Sequence, residues 1–187
     1  KIKRRVPSYL DLNLFIVIGE MMSHKIVHSQ NISKNCLVCG VDNAFGLKTR
    51  FYETEGNELI AVFTPLDEHQ SYPNVMHGGI SATILDEVIG RAIMMTTDSN
   101  TFGVTVNLNV RYNKPVPLGS ELKAVSRITK DRGRSVVGTG ELYLPNGEVA
   151  VEAEGKYMKR RLDQITTDDF TANEWFVAEG ALPEEIT

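Results

Sequence analysis

Only one segment of this chain carries helical periodicity over any length, and the periodic segments around it alternate like strands. Across residues 78–95, Ile80, Ile84, Leu85, Val88, Ile89, Ala92 and Met95 recur at the three- and four-residue spacing that lays an apolar arc along a helix. Before it, residues 47–53 and 58–64 read as a hairpin turning at Glu55-Gly56-Asn57. After it, residues 104–111, 120–130, 134–144 and 148–160 read as an antiparallel run, with turns at Asp131-Arg132-Gly133 and Pro145-Asn146-Gly147. A lone long helix has no second helix to bury its arc against, so the arc must lie on the sheet. The expected class is α+β, with one long central helix packed on a five- to six-stranded antiparallel sheet.

Within residues 104–111, Val104, Val106, Leu108 and Val110 alternate with Thr105, Asn107, Asn109 and Arg111. Strict alternation puts Thr105 on the face opposite the apolar one. On the helix, Gly79, Thr83, Asp86 and Gly90 form a narrow stripe of small and polar residues. Such a stripe suits close approach of a backbone or a ligand, and it is equally the ordinary border between buried and solvated faces.

The 187 residues suffice for one domain with tails and a real core. We expect a loosely ordered arm at 1–35 with one short helix, a body at 36–160 and an acidic tail at 161–187, with Trp175 and Phe176 docking on the body. Lys1 to Arg5 followed by Leu12 to Gly19 imitates a signal peptide, but Asp11, Glu20 and the want of a small-residue cleavage site argue against one. Met21 or Met22 is a candidate native start. A formal charge of −4 gives no footprint for nucleic acid, and no apolar run reaches membrane-spanning length. Two cysteines do not make a disulfide scaffold, so a reducing cytoplasm is the expected location.

The chemistry concentrates at the start of the helix. His77-Gly78-Gly79 opens it, and Asp86-Glu87 follows two turns later. A helix start offers unpaired N–H groups and a positive dipole end that suit a carbonyl oxygen or a phosphate, and glycines leave that approach open. Eight residues separate Gly78 from Asp86, roughly 12 Å along one helix. Both cannot touch one reacting carbonyl, so a shared site requires two antiparallel copies of the helix related by a two-fold axis. Glu87 points about 100° away from Asp86 and is expected in a surface pair with Arg91. His77 has a titration range suited to a base, but a role in shaping the helix start is the expected one.

In this order and spacing the motifs resemble those of the hot-dog fold, specifically the PaaI-like branch of acyl-CoA thioesterases. The likeness covers about residues 36–160. It rests on His77-Gly78-Gly79 with Asp86 nine residues after the histidine, then on Gly103-Val104-Thr105 opening a strand that ends in Tyr112-Asn113-Lys114-Pro115. Cys36-x-x-Cys39-Gly40 with Asn43 and Gly46-Leu47 adds a lead-in seen in some members. The resemblance implies that Gly78 N–H polarises a thioester carbonyl as an oxyanion donor. It implies that Asp86 of the partner subunit is general base or nucleophile, and that Thr105 orients the attacking water. It also implies a homodimer, often a dimer of dimers. His77, Gly79, Ser71 and Asn74 would border the substrate. One departure stands out: six residues before the histidine, where many relatives carry Asn, this chain has Ser71, with Gln70 or Asn74 as substitutes.

Lys130, Arg132 and Arg134 make a compact basic turn that fits the phosphates of coenzyme A and is equally a solvated hairpin tip. His24, His28, Cys36 and Cys39 supply four donor types that zinc uses, at a spacing unlike a standard finger; the expectation is no metal and no cofactor. No Gly-x-Ser-x-Gly elbow, phosphate-binding loop or His-Glu-x-x-His is present. The expected activity is acyl-CoA thioester hydrolysis. The alternatives are a non-catalytic acyl-CoA-binding or regulatory protein and, behind it, an enoyl-CoA hydratase or dehydratase.

Overall fold

The computed structural model describes residues 23–98 and 100–187. The start expected at Met21 or Met22 lies outside the described residues, and the described part of the arm expected to be loose with one short helix, 23–35, instead forms strands at His24–Ser29 and Ile32–Ser33. Helix α1 spans Gly78–Arg91 and tightens into a 3₁₀ turn over Ala92–Met95, so the expected helix is present with a changed last turn. Its apolar arc is buried as the periodicity requires: Ile84, Leu85, Val88, Ile89 and Ala92 are all fully enclosed.

The sheet that receives this arc has eight strands rather than the five or six expected. In spatial order they are Glu185–Ile186, His24–Ser29, Arg50–Thr54, Leu59–Phe63, Leu122–Asp131, Ser135–Tyr143, Val149–Arg161 and Thr101–Tyr112, antiparallel throughout. The six from Arg50–Thr54 to Thr101–Tyr112 are the strands legible in the sequence. The additional two come from the arm and the tail: His24–Ser29 pairs with Arg50–Thr54, which would otherwise be a sheet edge, and Glu185–Ile186 pairs with His24–Ser29 in turn. His24–Ser29 escapes sequence reading because Ile26 is its only buried residue, which gives no alternation to detect. Helix α1 lies across the concave side of the sheet, with contacts running from Leu59–Phe63 to the far edge. The expected α+β layering and the wrapped-helix arrangement of the hot-dog fold are both present.

Two features of the Thr101–Tyr112 edge decide where the candidate site lies. Its pairing with Val149–Arg161 runs Lys156↔Asn107 and then Tyr157↔Thr105, skipping Val106. This bulge inverts the alternation, because one extra residue exchanges the two faces of everything beyond it. Leu108 and Val110 pack on the core, whereas Val104 and Val106 are 40% and 54% exposed. Gly103 and Thr105 turn toward the helix. At Gly103, an added Cβ would stand 2.5 Å from Ile93 Cδ1 and 2.9 Å from the Gly90 carbonyl oxygen. The small-residue stripe on α1 is therefore where the edge-strand backbone comes closest.

Candidate active site

Asp86 sits on the stripe, half-buried, where the bulge delivers two hydroxyls to it. Thr105 Oγ1 donates to Asp86 Oδ1 at 2.9 Å, with Oδ2 at 3.2 Å. Tyr157 OH lies 3.0 Å from Asp86 Oδ1 and 3.1 Å from the Asp86 carbonyl oxygen. Tyr157 is enclosed on the adjacent strand, and its cross-strand partner is Thr105. Burial first, then the Asp86 charge, pushes the Tyr157 phenol far above its ordinary range, so it stays a proton donor. Thr105 thus reaches Asp86 within one chain, contrary to the strict alternation read from 104–111.

Tyr157 was not among the sequence candidates. Its signal lies in the inward positions before it, Val151, Ala153 and Gly155, which shrink toward a single large residue. A Cβ at Gly155 would meet the Tyr157 hydroxyl at 2.6 Å, so that glycine makes room for the ring.

Asp86, Thr105 and Tyr157 border a cavity of about 870 Å³. One wall is the helix C-terminal half through Gly90 and Met94. The opposite wall comes from the tail: Leu162, Ile165, Phe170 and Trp175 reach into it. Phe102, Phe170 and Trp175 form an aromatic cluster with ring centroids 5.3–6.3 Å apart, and Trp175 and Phe176 pair with Ser33 and Ile32. The tail aromatics dock on the body as expected, and they also enclose the cavity.

The helix start stands elsewhere. His77 is the N-cap: its Nδ1 accepts the Gly79 N–H at 2.8 Å. Among the described residues no acceptor is recorded for the Gly78 N–H. Tyr112 OH donates to the Gly78 carbonyl at 3.0 Å, and Gly78 lines a second cavity of about 340 Å³ with Ser81, Tyr112 and Lys114. Gly78 and Asp86 therefore occupy different cavities of one chain. Ser71 and Asn74 lie in the hairpin ahead of the helix, exposed, and line neither cavity; Gln70 Oε1 is engaged with the Asn74 N–H at 3.1 Å.

Lys130, Arg132 and Arg134 are exposed at the tip joining two strands. They line neither cavity, yet the strand register carries this tip to the Asp86 end of the sheet. Lys159 N donates to the Arg134 carbonyl, and Lys159 is opposite Gly103.

The cysteines converge, though not with the histidines. His24 pairs with Glu58 at 3.1 Å, while Cys36, Cys39 and Glu87 hold donor atoms within 4.8 Å of one another. Arg91 binds Glu87 at 2.7 Å and Cys39 Sγ at 3.2 Å. The expected Glu87–Arg91 pair is present, but Arg91 is buried and lies over the Phe51 and Trp175 rings rather than on the surface. Its guanidinium supplies a positive charge at the cluster.

A family model described as the thioesterase superfamily matches residues 73–151. An acyl-coenzyme A thioesterase of Rattus norvegicus, THEM4, is 34% identical over 139 residues, which is 71% of this chain and 58% of that protein. The chain spans about half the length of the curated relatives it matches. Among solved structures, a thioesterase superfamily protein superposes with a TM-score of 0.61 at 27% identity, over 67% of this chain and 60% of that one. A Bacillus halodurans protein crystallised with CoA gives 0.57 at 27% identity, over 63% of this chain and 78% of its own.

Proposed function

We propose that this protein hydrolyses acyl-CoA thioesters at a site completed by two copies of the chain, a reading supported by the match of residues 73–151 to the thioesterase superfamily model. The observation that carries the proposal is a carboxylate, Asp86, fixed by two hydroxyls at the lip of the larger cavity. An immobilised carboxylate with a free lone pair is suited to take a proton from water as that water attacks a carbonyl carbon. Thr105 orients the carboxylate and the water. Tyr157 holds the remaining geometry. The tetrahedral intermediate carries negative charge on its oxygen, and an unpaired N–H at a helix start is a donor for it. Collapse of the intermediate expels the CoA thiolate and leaves the carboxylic acid.

Gly78 of a second copy provides that donor in this reading, since the Gly78 of the same chain opens another cavity. The exposed Val104, Val106 and Tyr112 on the edge strand support such a pairing, and among the described residues the sheet ends there with one side of the strand unpaired. A dimer of dimers follows the resemblance. The aromatic and aliphatic lining supplied by the tail favours a bulky apolar acyl group. Lys130, Arg132 and Arg134 stand at the same end of the sheet, where the CoA phosphates would emerge. Both thiols are free, which fits a reducing compartment such as the cytoplasm. Among the described residues no helix is long and apolar enough to cross a membrane.

Asp86→Ala is expected to lower release of free CoA thiol by at least about a hundredfold, with an unchanged melting temperature and oligomeric state. A fully active variant, measured with a thiol reagent over short, long and aromatic acyl-CoAs, refutes the assignment. The second reading, an acyl-CoA-binding protein without turnover, draws on Ser71 and Asn74 lying outside both cavities, away from any carbonyl bound there. It predicts binding of CoA esters with no thiol released. A hydratase needs a histidine facing the carboxylate, and no histidine lines the Asp86 cavity.

A further inference from the structure

The sequence motif Cys36-x-x-Cys39-Gly40 has no part in the hydrolysis described above, yet it is built into the wall of the same cavity. Its backbone is a single helical turn closed by Gly40 N–H to the Cys36 carbonyl at 2.9 Å. Gly40 is required there, because a Cβ would stand 2.3 Å from the Cys36 oxygen. Two cysteines three residues apart in such a turn have Cα atoms within the roughly 4.4–6.8 Å that a disulfide spans.

The surroundings of the two sulfurs are those of a thiolate pair. Cys39 Sγ accepts the Ser33 N–H at 3.4 Å and an Arg91 guanidinium N–H at 3.2 Å. Cys36 Sγ accepts the Val38 N–H at 3.2 Å. The hydrogen bond from the Cys36 thiol, then the Arg91 charge, lowers Cys39 to about 6 against the opposing effect of burial; the same hydrogen bond, with burial and the Glu87 charge, raises Cys36. The two shifts point to Cys39 as the thiolate and Cys36 as the thiol of the pair. Access is unequal. Cys39 is completely enclosed, whereas Cys36 lines the cavity, so only a small oxidant entering the cavity reaches the pair.

Arg91 connects this pair to the cavity wall. The same guanidinium binds Cys39 and Glu87, donates to the Asn31 carbonyl at 2.9 Å, and lies 4.8 Å from the centroid of Trp175. Trp175 is part of the tail wall.

We propose that Cys36 and Cys39 form a peroxide-oxidisable dithiol, and that its closure to a disulfide withdraws one anchor of Arg91 and loosens the tail wall of the cavity. The Cys36 sulfur attacks hydrogen peroxide while its proton passes to the Cys39 thiolate. The O–O bond breaks, giving Cys36 sulfenic acid, Cys39 thiol and hydroxide. Cys39 sulfur then attacks the Cys36 sulfur; the S–S bond forms and the sulfenic oxygen leaves with the Cys39 proton as water. The dithiol loses two electrons and the peroxide gains them.

The chain has two cysteines and one tryptophan, so both ends of the proposal have an internal probe. The reduced 187-residue chain is treated with hydrogen peroxide and followed by intact mass, thiol titration and tryptophan emission. The expected result is a loss of two hydrogens, a fall from two titratable thiols to none without a cross-linked dimer, and a change in Trp175 emission that dithiothreitol reverses. Cys36→Ser and Cys39→Ser should each abolish the hydrogen loss and the emission change. Added oxygen on the reduced chain without disulfide, a disulfide between chains, or closure with unaltered emission each overturns the proposal. None of these readings uses a thioester, so they stand or fall separately from hydrolysis.

Discussion

Asp86 has a neighbour, Glu87, of the same charge and nearly the same burial, and the two are separated by their partners. Asp86 receives two neutral hydroxyls, whereas Glu87 is neutralised by Arg91. A carboxylate paired with a guanidinium is tied to that partner's geometry, whereas one held by neutral hydroxyls has no counter-charge to displace. Tyr157→Phe removes one of the two holders. Losing that hydrogen bond costs about 1 kcal/mol of alignment, so kcat is expected to fall by roughly fivefold with KM little changed. The same phenol has a pH signature. Its folded value is raised above the ordinary 10.0 by burial and by Asp86. The stability this contributes is complete below pH 10 and is lost as the pH rises above it. The melting temperature of the wild type should therefore drop more steeply above pH 10 than that of Tyr157→Phe, a comparison made by calorimetry in alkaline buffers.

At the scale of elements, the site depends on how close helix α1 comes to the edge strand. Gly90 and Gly103 set that distance: Gly103 has no room for a Cβ against Ile93 and the Gly90 carbonyl. Gly103→Val is expected to destabilise by about 1–3 kcal/mol through overpacking, and the strand would move outward, taking Thr105 from Asp86. Denaturant unfolding measures the first effect; a loss of kcat larger than the loss of stability registers the second. The tail is the other decisive element. Phe170→Ala opens the aromatic cluster while leaving the Asp86 hydrogen bonds intact. It should raise KM for the bulkiest acyl-CoAs severalfold and leave short ones unchanged, which a panel of acyl-CoAs will resolve.

At the scale of the whole molecule, Gly78 and Asp86 stand about two turns apart on one helix and border different cavities, so the proposed reaction requires two chains. This gives a complementation prediction. Asp86→Ala and Gly78→Val, each inactive alone, are unfolded together and refolded at equal concentrations. Random pairing makes half of the dimers mixed, and each mixed dimer carries one intact site of two, so about a quarter of wild-type activity should return. Mixtures that remain inactive despite forming mixed dimers would place both groups in the same chain's site.

The sequence by itself determined the elements that local periodicity writes: the α1 arc, six of the eight sheet strands, the turns and the His77 N-terminus. Spacing also singled out Gly78 and Asp86, while Thr105 entered only through the resemblance to the family. What it could not determine involves residues meeting across the sheet. Thr105 faces Asp86 only because Val106 bulges, and a bulge is a property of two paired strands that one strand's alternation does not contain. Tyr157, 71 residues from Asp86 in the chain, reaches it through the same pairing. The strand at His24–Ser29 and the tail wall likewise exist only because the folded sheet has an open edge and the cavity an open side for them to cover. Local pattern specifies which face of an element is buried; only tertiary packing specifies which residues that burial brings together.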